Sequence, residues 1–110
     1  MKQGEIWELY LNPVDGSEQP GRRPAVILSG NMMNNYLNVI IVCPLTTKIK
    51  NYKGNVVLNP NNENNLKQTS EVLTFHVRSV SKIRLKKLIG VISIEELKII
   101  KQGLNDILRY

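Results

Sequence analysis

Apolar residues along the chain recur with two periods. Gly4 to Leu11, GEIWELYL, alternates, with Trp7, Leu9 and Leu11 on one face and Glu8 and Tyr10 on the other, which is the period of a half-buried strand. Pro24 to Ser29 and Leu37 to Pro44 are β-branched runs; the second is apolar on both faces and reads as a central strand. Asn55 to Leu58, Ser70 to Val77 and Leu88 to Ile92 supply three further strands. Between these runs lie a Pro- and Gly-containing loop at Asn12 to Gly21, an Asn- and Met-rich stretch at Gly30 to Tyr36, and a basic connection at Thr46 to Gly54. Asn59 to Asn65, NPNNENN, is the clearest turn, because Asn tolerates left-handed backbone and Pro fixes φ. Short strands at this spacing predict a small, strongly bent sheet or barrel.

The period changes after Ser93. Ser93 and Glu96 form a capping box ahead of a helix in which Leu97, Ile100, Leu104, Ile107 and Leu108 recur on one face. Gly103 costs that helix about 1 kcal/mol relative to Ala, which packing on a sheet offsets. The predicted class is therefore mostly β (α+β), with about five to seven short strands and a C-terminal helix packed on them.

A length of 110 residues with 42% hydrophobic and 22% charged side chains fits one globular domain, residues 1–110. The longest apolar runs, Val39 to Val42 and Val91 to Ile94, fall far short of the roughly 20 residues of a membrane span. MKQGEIWELY carries charges where a signal peptide needs an apolar stretch. The lone Cys43 allows neither an intrachain disulfide nor a thiolate cluster and reads as a buried hydrophobe, so a soluble cytoplasmic protein is expected. A net charge of +6 favours polyanionic partners, though charge alone leaves nucleic acid and other acidic partners equally open.

Familiar enzyme constellations are missing: there is one His, no GxSxG, no Walker loop and no ligand set for a catalytic metal. A hydrolase built from this chain would use carboxylate, guanidinium and hydroxyl groups. Three segments offer them. In SEQPGRRPAVILS, Pro24 holds Arg23 extended at a loop-to-strand junction, where its forked donors suit a phosphorane dianion, and Glu18 is placed to take a proton from a ribose hydroxyl. In PLTTKIKNYK, Thr46 and Thr47 end a central strand and Lys48 and Lys50 follow. In HVRSVSKIRLKK, His76 and Arg78 precede Lys82, Arg84, Lys86 and Lys87, a candidate groove for a nucleic-acid backbone. Tyr36, Tyr52 and Phe75 are candidate stacking rings. Each segment also has a plain reading as solvated turn, strand threonine, basic surface or locally packed ring.

In order and spacing, GEIW, NPVDGSEQPGRRPAVILS, CPLTTKIKNYKGNVVL and SEVLTFHVRSVSKIRL resemble the MazF/PemK/Kid family of toxin endoribonucleases from bacterial toxin–antitoxin pairs, over nearly the whole chain. The resemblance implies an SH3-like β-barrel working as a homodimer, without a metal or other cofactor. It also implies cleavage of single-stranded RNA by 2′-hydroxyl attack, leaving a 2′,3′-cyclic phosphate and a 5′-hydroxyl. The Arg of the family's GxRP motif falls on Arg23, its strand-end Thr on Thr46 and the Glu of GSEQ on Glu18. Gln19, Arg22, Thr47, Lys48, Lys50, Tyr52, His76 and Arg78 then become RNA-contacting candidates, with base readout around Asn34, Tyr52 and His76. The implied partners are an antitoxin whose acidic tail occupies the RNA groove and, only through that complex, operator DNA.

One departure stands out. Where many members carry an acidic residue followed by Gln, this chain has Phe75 and His76, so that residue's role as base or base reader passes to Glu18 or His76, or else the cleavage sequence differs. Two other functions stay open: a non-catalytic nucleic-acid binder or repressor subunit, and a gyrase-poisoning toxin of the same fold. The second would be expected to end in Trp-Gly-Ile, whereas this chain ends Leu108, Arg109, Tyr110.

Overall fold

The computed structural model describes residues 1–10 and 21–109. The strands are β1 (Glu5–Tyr10), β2 (Arg22–Ile27), β3 (Val39–Thr46), β4 (Val57–Leu58), β5 (Ser70–Val72), β6 (Arg78–Ser81) and β7 (Leu85–Val91), with helices α1 (Asn31–Tyr36) and α2 (Ile94–Arg109). Short 3₁₀ turns occupy Thr74–His76 and Lys82–Arg84. The antiparallel sheet runs β4-β5-β3-β2-β1-β7, and β6 also pairs with β3. This is the mostly β, curled half-barrel with a C-terminal helix that the pattern predicts.

The apolar run of β3 is explained by burial on both faces. Ile40 and Val42 join Leu9, Ala25, Ile27 and Val80 in one core, while Cys43 and Leu45 join Ile6, Val26, Leu58, Val72 and Ile100 in the other. β3 changes partner along one edge: Val39 to Val42 pair with β6, whereas Leu45 and Thr46 pair with β5. Pro44 sits at the changeover, where it has no N–H to give either ladder and its carbonyl alone is engaged, accepting from Leu73 N–H. The interrupted edge bends the sheet and leaves a gap that the Thr74–His76 turn spans.

β1 alternates as expected, with Trp7 and Leu9 packing on one core and Ile6 in the other; two register shifts against β7 accommodate the bend. Leu11 lies outside the described residues. The expected strand from Ser70 to Val77 ends at Val72, because the chain turns into 3₁₀ at Thr74. The Gly30 to Tyr36 stretch forms α1, a helix that its Asn content concealed. Asn34 is buried there, donating from Nδ2 to the Ser29 carbonyl at 2.9 Å, and is thus a structural residue rather than a base reader.

In the NPNNENN turn, Asn61 Oδ1 accepts from Glu63 and Asn64 N–H, Asn64 Oδ1 accepts from Asn61 and Leu66 N–H, and Asn65 has φ 53°. The turn therefore satisfies its own amides. α2 starts with the capping box as read: Ser93 N donates to Glu96 Oε1 at 2.8 Å and Glu96 N to Ser93 Oγ at 3.0 Å. Its Ile100 is fully buried, with Leu97 and Leu104 packed alongside, but Ile107 and Leu108 are exposed. Burying Ile100 contributes about 1.5–3 kcal/mol, more than Gly103 costs. Gly103 moreover has a packing role, since a Cβ there would meet the Gly54 carbonyl at 3.0 Å. Among the described residues, no helix is long and apolar enough to cross a membrane.

Candidate active site

The partner change at Pro44 opens a cleft of about 480 Å³ lined by Arg23, Pro24, Pro44, Leu45, Thr46, Thr47, Lys48, Ser70, Leu73, His76 and Arg78. Its walls come from segments far apart in sequence. The β2–β3 register pairs Ala25 with Pro44, so carrying it two residues further sets Arg23 across from Thr46. Leu73 N donates to the Pro44 carbonyl at 2.9 Å, which starts the turn bearing His76, and β6 brings in Arg78 opposite Val42.

Each polar group offers a distinct chemistry. Arg23 is exposed, so its guanidinium is open to a ligand, with five donors in a fixed fork. Thr46 Oγ1 accepts from Lys48 N–H at 3.1 Å, which orients the hydroxyl while leaving its hydrogen to donate. His76 is exposed, its ring edge-on to Phe75 at 4.5 Å between centroids. Arg78 and Lys48 complete a cationic rim suited to phosphates.

The other candidate residues lie elsewhere. Arg22, one position from Arg23, points the opposite way: its Nη1 donates to Glu8 Oε1 at 3.1 Å and its guanidinium lies over the Tyr10 ring. The hydrogen bond from Arg22, then its charge, lower the Tyr10 pKa. Tyr52 lines a separate hollow of about 900 Å³ with Phe75, Thr74 and Ile107, and Lys50 lines neither cavity. Glu18 and Gln19 lie outside the described residues. The basic run after His76 is not one groove: Lys86 lies over Tyr10, Lys87 lines a third hollow beside Glu8, and only Arg78 reaches the cleft. Alternation along β6 and β7, with a 3₁₀ turn between them, disperses these side chains. Tyr36 is exposed at the end of α1, away from the cleft lining.

Cys43 is fully buried, and burial pushes its thiol up to about 12, so it is a packed apolar group rather than a nucleophile.

The sequence reading missed Glu71. This residue of β5 is fully buried, and its carboxylate accepts from Lys50, Asn51 and Tyr52 N–H at 2.7, 3.0 and 3.0 Å and from Asn55 Nδ2 at 3.0 Å. Burial pushes its pKa upward, but the bonds from Asn55, Lys50, Tyr52 and Asn51 outweigh that and hold it below the usual carboxylate value. The available signal was an acidic residue between Ser70 and Val72 in a strand, where a charge needs buried donors.

Comparison with known proteins agrees with the fold. The family model for "PemK-like, MazF-like toxin of type II toxin-antitoxin system" matches residues 2–108. The endoribonuclease toxin MazF of Escherichia coli K12 is 33% identical over 104 residues, covering 93% of this chain and 88% of that protein. Endoribonuclease MazF of Staphylococcus saprophyticus is 30% identical over 106 residues, covering 96% and 88%. Among solved structures, MazF from Deinococcus radiodurans superposes with a TM-score of 0.81 at 29% identity, covering 100% of this chain and 97% of that one. A MazE–MazF structure from the same organism gives 0.81 at 27% identity, covering 99% and 96%. With a family model spanning nearly its whole length and a strand arrangement to match, the chain belongs to the PemK-like, MazF-like toxins of type II toxin–antitoxin systems.

Proposed function

We propose that this chain is the toxin of a toxin–antitoxin pair and cleaves single-stranded RNA in the cleft between β2, β3 and β6. The observation that carries the reading is the convergence of Arg23, Thr46, His76 and Arg78, from four segments, on one cationic cleft. The relatives named endoribonuclease MazF support the RNA substrate.

In this reading Thr46 and Lys48 hold the scissile phosphate and Arg23 stabilises the dianionic phosphorane. Glu18 takes the proton from the 2′-hydroxyl; O2′ then bonds to phosphorus while the P–O5′ bond breaks. The departing 5′-oxygen receives a proton from His76, giving a 2′,3′-cyclic phosphate and a 5′-hydroxyl. Arg78 and Thr47 contact the RNA backbone. Gln19 is a further RNA contact, whereas Arg22, Lys50 and Tyr52 act at most outside the cleft.

The protein works as one domain over residues 1–110, as a homodimer in the cytoplasm. Its antitoxin covers the cationic cleft with acidic sequence, and the solved MazE–MazF structure from Deinococcus radiodurans supports such a partner.

Incubation with a chelator and a single-stranded RNA, alongside the same strand carrying 2′-deoxyribose, tests this reading. Cleavage of the ribose strand alone, with cyclic-phosphate ends, is expected. Binding of both strands without cleavage would move the chain to the non-catalytic class.

A further inference from the structure

The connection between β3 and β4, residues 47–56, supplies Thr47 and Lys48 to the cleft and carries Tyr52, yet has no ladder of its own. Its backbone amides must find acceptors elsewhere. Glu71 touches both its ends and its middle. In the sheet Glu71 pairs with Thr46, where the connection leaves β3, and with Val57, where it returns as β4. Its side chain then binds Lys50, Asn51 and Tyr52 N–H and the Asn55 carboxamide.

Asn51 has φ 53°, so three successive amides turn inward around the carboxylate as a backbone nest turns around an anion. The anion here belongs to the protein. The connection also packs against α2, where the Gly54 carbonyl comes close because Gly103 lacks a side chain.

The clamp reaches the cleft by two routes. One is the ladder from Glu71 to Thr46. The other runs from the clamped Tyr52 amide through the Tyr52 ring, edge-on to Phe75 at 5.4 Å, and from Phe75 to His76 at 4.5 Å. We infer that Glu71 is a positioning residue for RNA cleavage: its buried carboxylate sets the 47–56 connection, and with it Thr46 and His76, without touching substrate. This rests on the ribonuclease reading above.

Glu71→Gln tests it, because the isostere turns an NH₂ toward donors that need an acceptor. Hydrogen exchange of the full-length protein should show faster exchange at Lys50, Asn51 and Tyr52 with β2 and β3 amides still protected, and kcat should fall by roughly 10²-fold with a smaller change in KM. Glu71→Asp, which keeps the carboxylate on a shorter stem, should recover part of that loss. Unchanged exchange at residues 50–52, or faster exchange with wild-type kcat, would overturn the inference, as would uniform loss of protection across the sheet. Asn55→Ala removes a single donor and repeats the test in a chain that keeps the carboxylate: exchange at 50–52 should rise several-fold with β2 and β3 unaffected. If the wild-type chain cleaves no RNA, the ribonuclease reading fails, and exchange still decides whether Glu71 holds the segment.

Discussion

Arg23→Ala separates catalysis from folding more cleanly than any other substitution in the cleft. The Arg23 backbone pairs with Leu9 of β1 while its side chain is exposed, so truncation leaves the ladder intact and opens no core cavity. Stability should change by less than about 0.5 kcal/mol, as for surface substitutions of this kind. The catalytic cost is of another order. A preorganised donor aimed at a developing oxyanion contributes about 2.7–4 kcal/mol, and at about 1.36 kcal/mol per decade this is a 10²–10³-fold loss in kcat. Arg23→Lys keeps the charge but not the fork and should fall in between. The assay is single-turnover cleavage of a labelled RNA at saturating enzyme, beside a thermal melt. A folded Arg23→Ala protein with undiminished cleavage would refute the assignment, as would an unfolded one, since the structure gives this side chain no core to support.

Three further outcomes follow from particular residues. In the pH dependence of kcat/KM, Glu18→Gln should remove the acid limb while His76→Ala retains it; the reverse would transfer the base role to His76. The folded-state pKa of Glu71 is lowered, so its stabilisation is complete above the unfolded value of about 4.3 and is lost as pH falls through the lowered folded value; acid melts of Glu71→Gln should accordingly be flatter than wild type below that pH. Gly90→Ala should destabilise by about 1–3 kcal/mol in a urea melt, because a Cβ there would run into the Asn64 carbonyl oxygen, a backbone atom, and a wild-type midpoint would contradict this packing.

Local chemistry made much of the molecule legible from sequence. The alternation in GEIWELY, the two-faced apolar run of β3, the Ser93–Glu96 box and the NPNNENN turn each depend on residues within a few positions of one another, and each appears as read. Pro24 marked Arg23 for the same reason, since a neighbour's ring restricts the backbone directly. Alternation then separates Arg23 from Arg22, and only the sheet shows which of them faces the cleft and which faces Glu8 and Tyr10.

What tertiary structure alone decided is the meeting of distant groups. The partner change at Pro44 opens the gap that joins Arg23, Thr46 and His76, and no periodicity along one strand encodes which edge another strand will leave. The basic run after His76 looked continuous in one dimension and is scattered over several faces in three. Glu71 is the plainest case. Its charge in an apolar strand is visible in the sequence, but the four donors that make burial tolerable come from the Lys50–Asn55 connection, and only folding brings them to it.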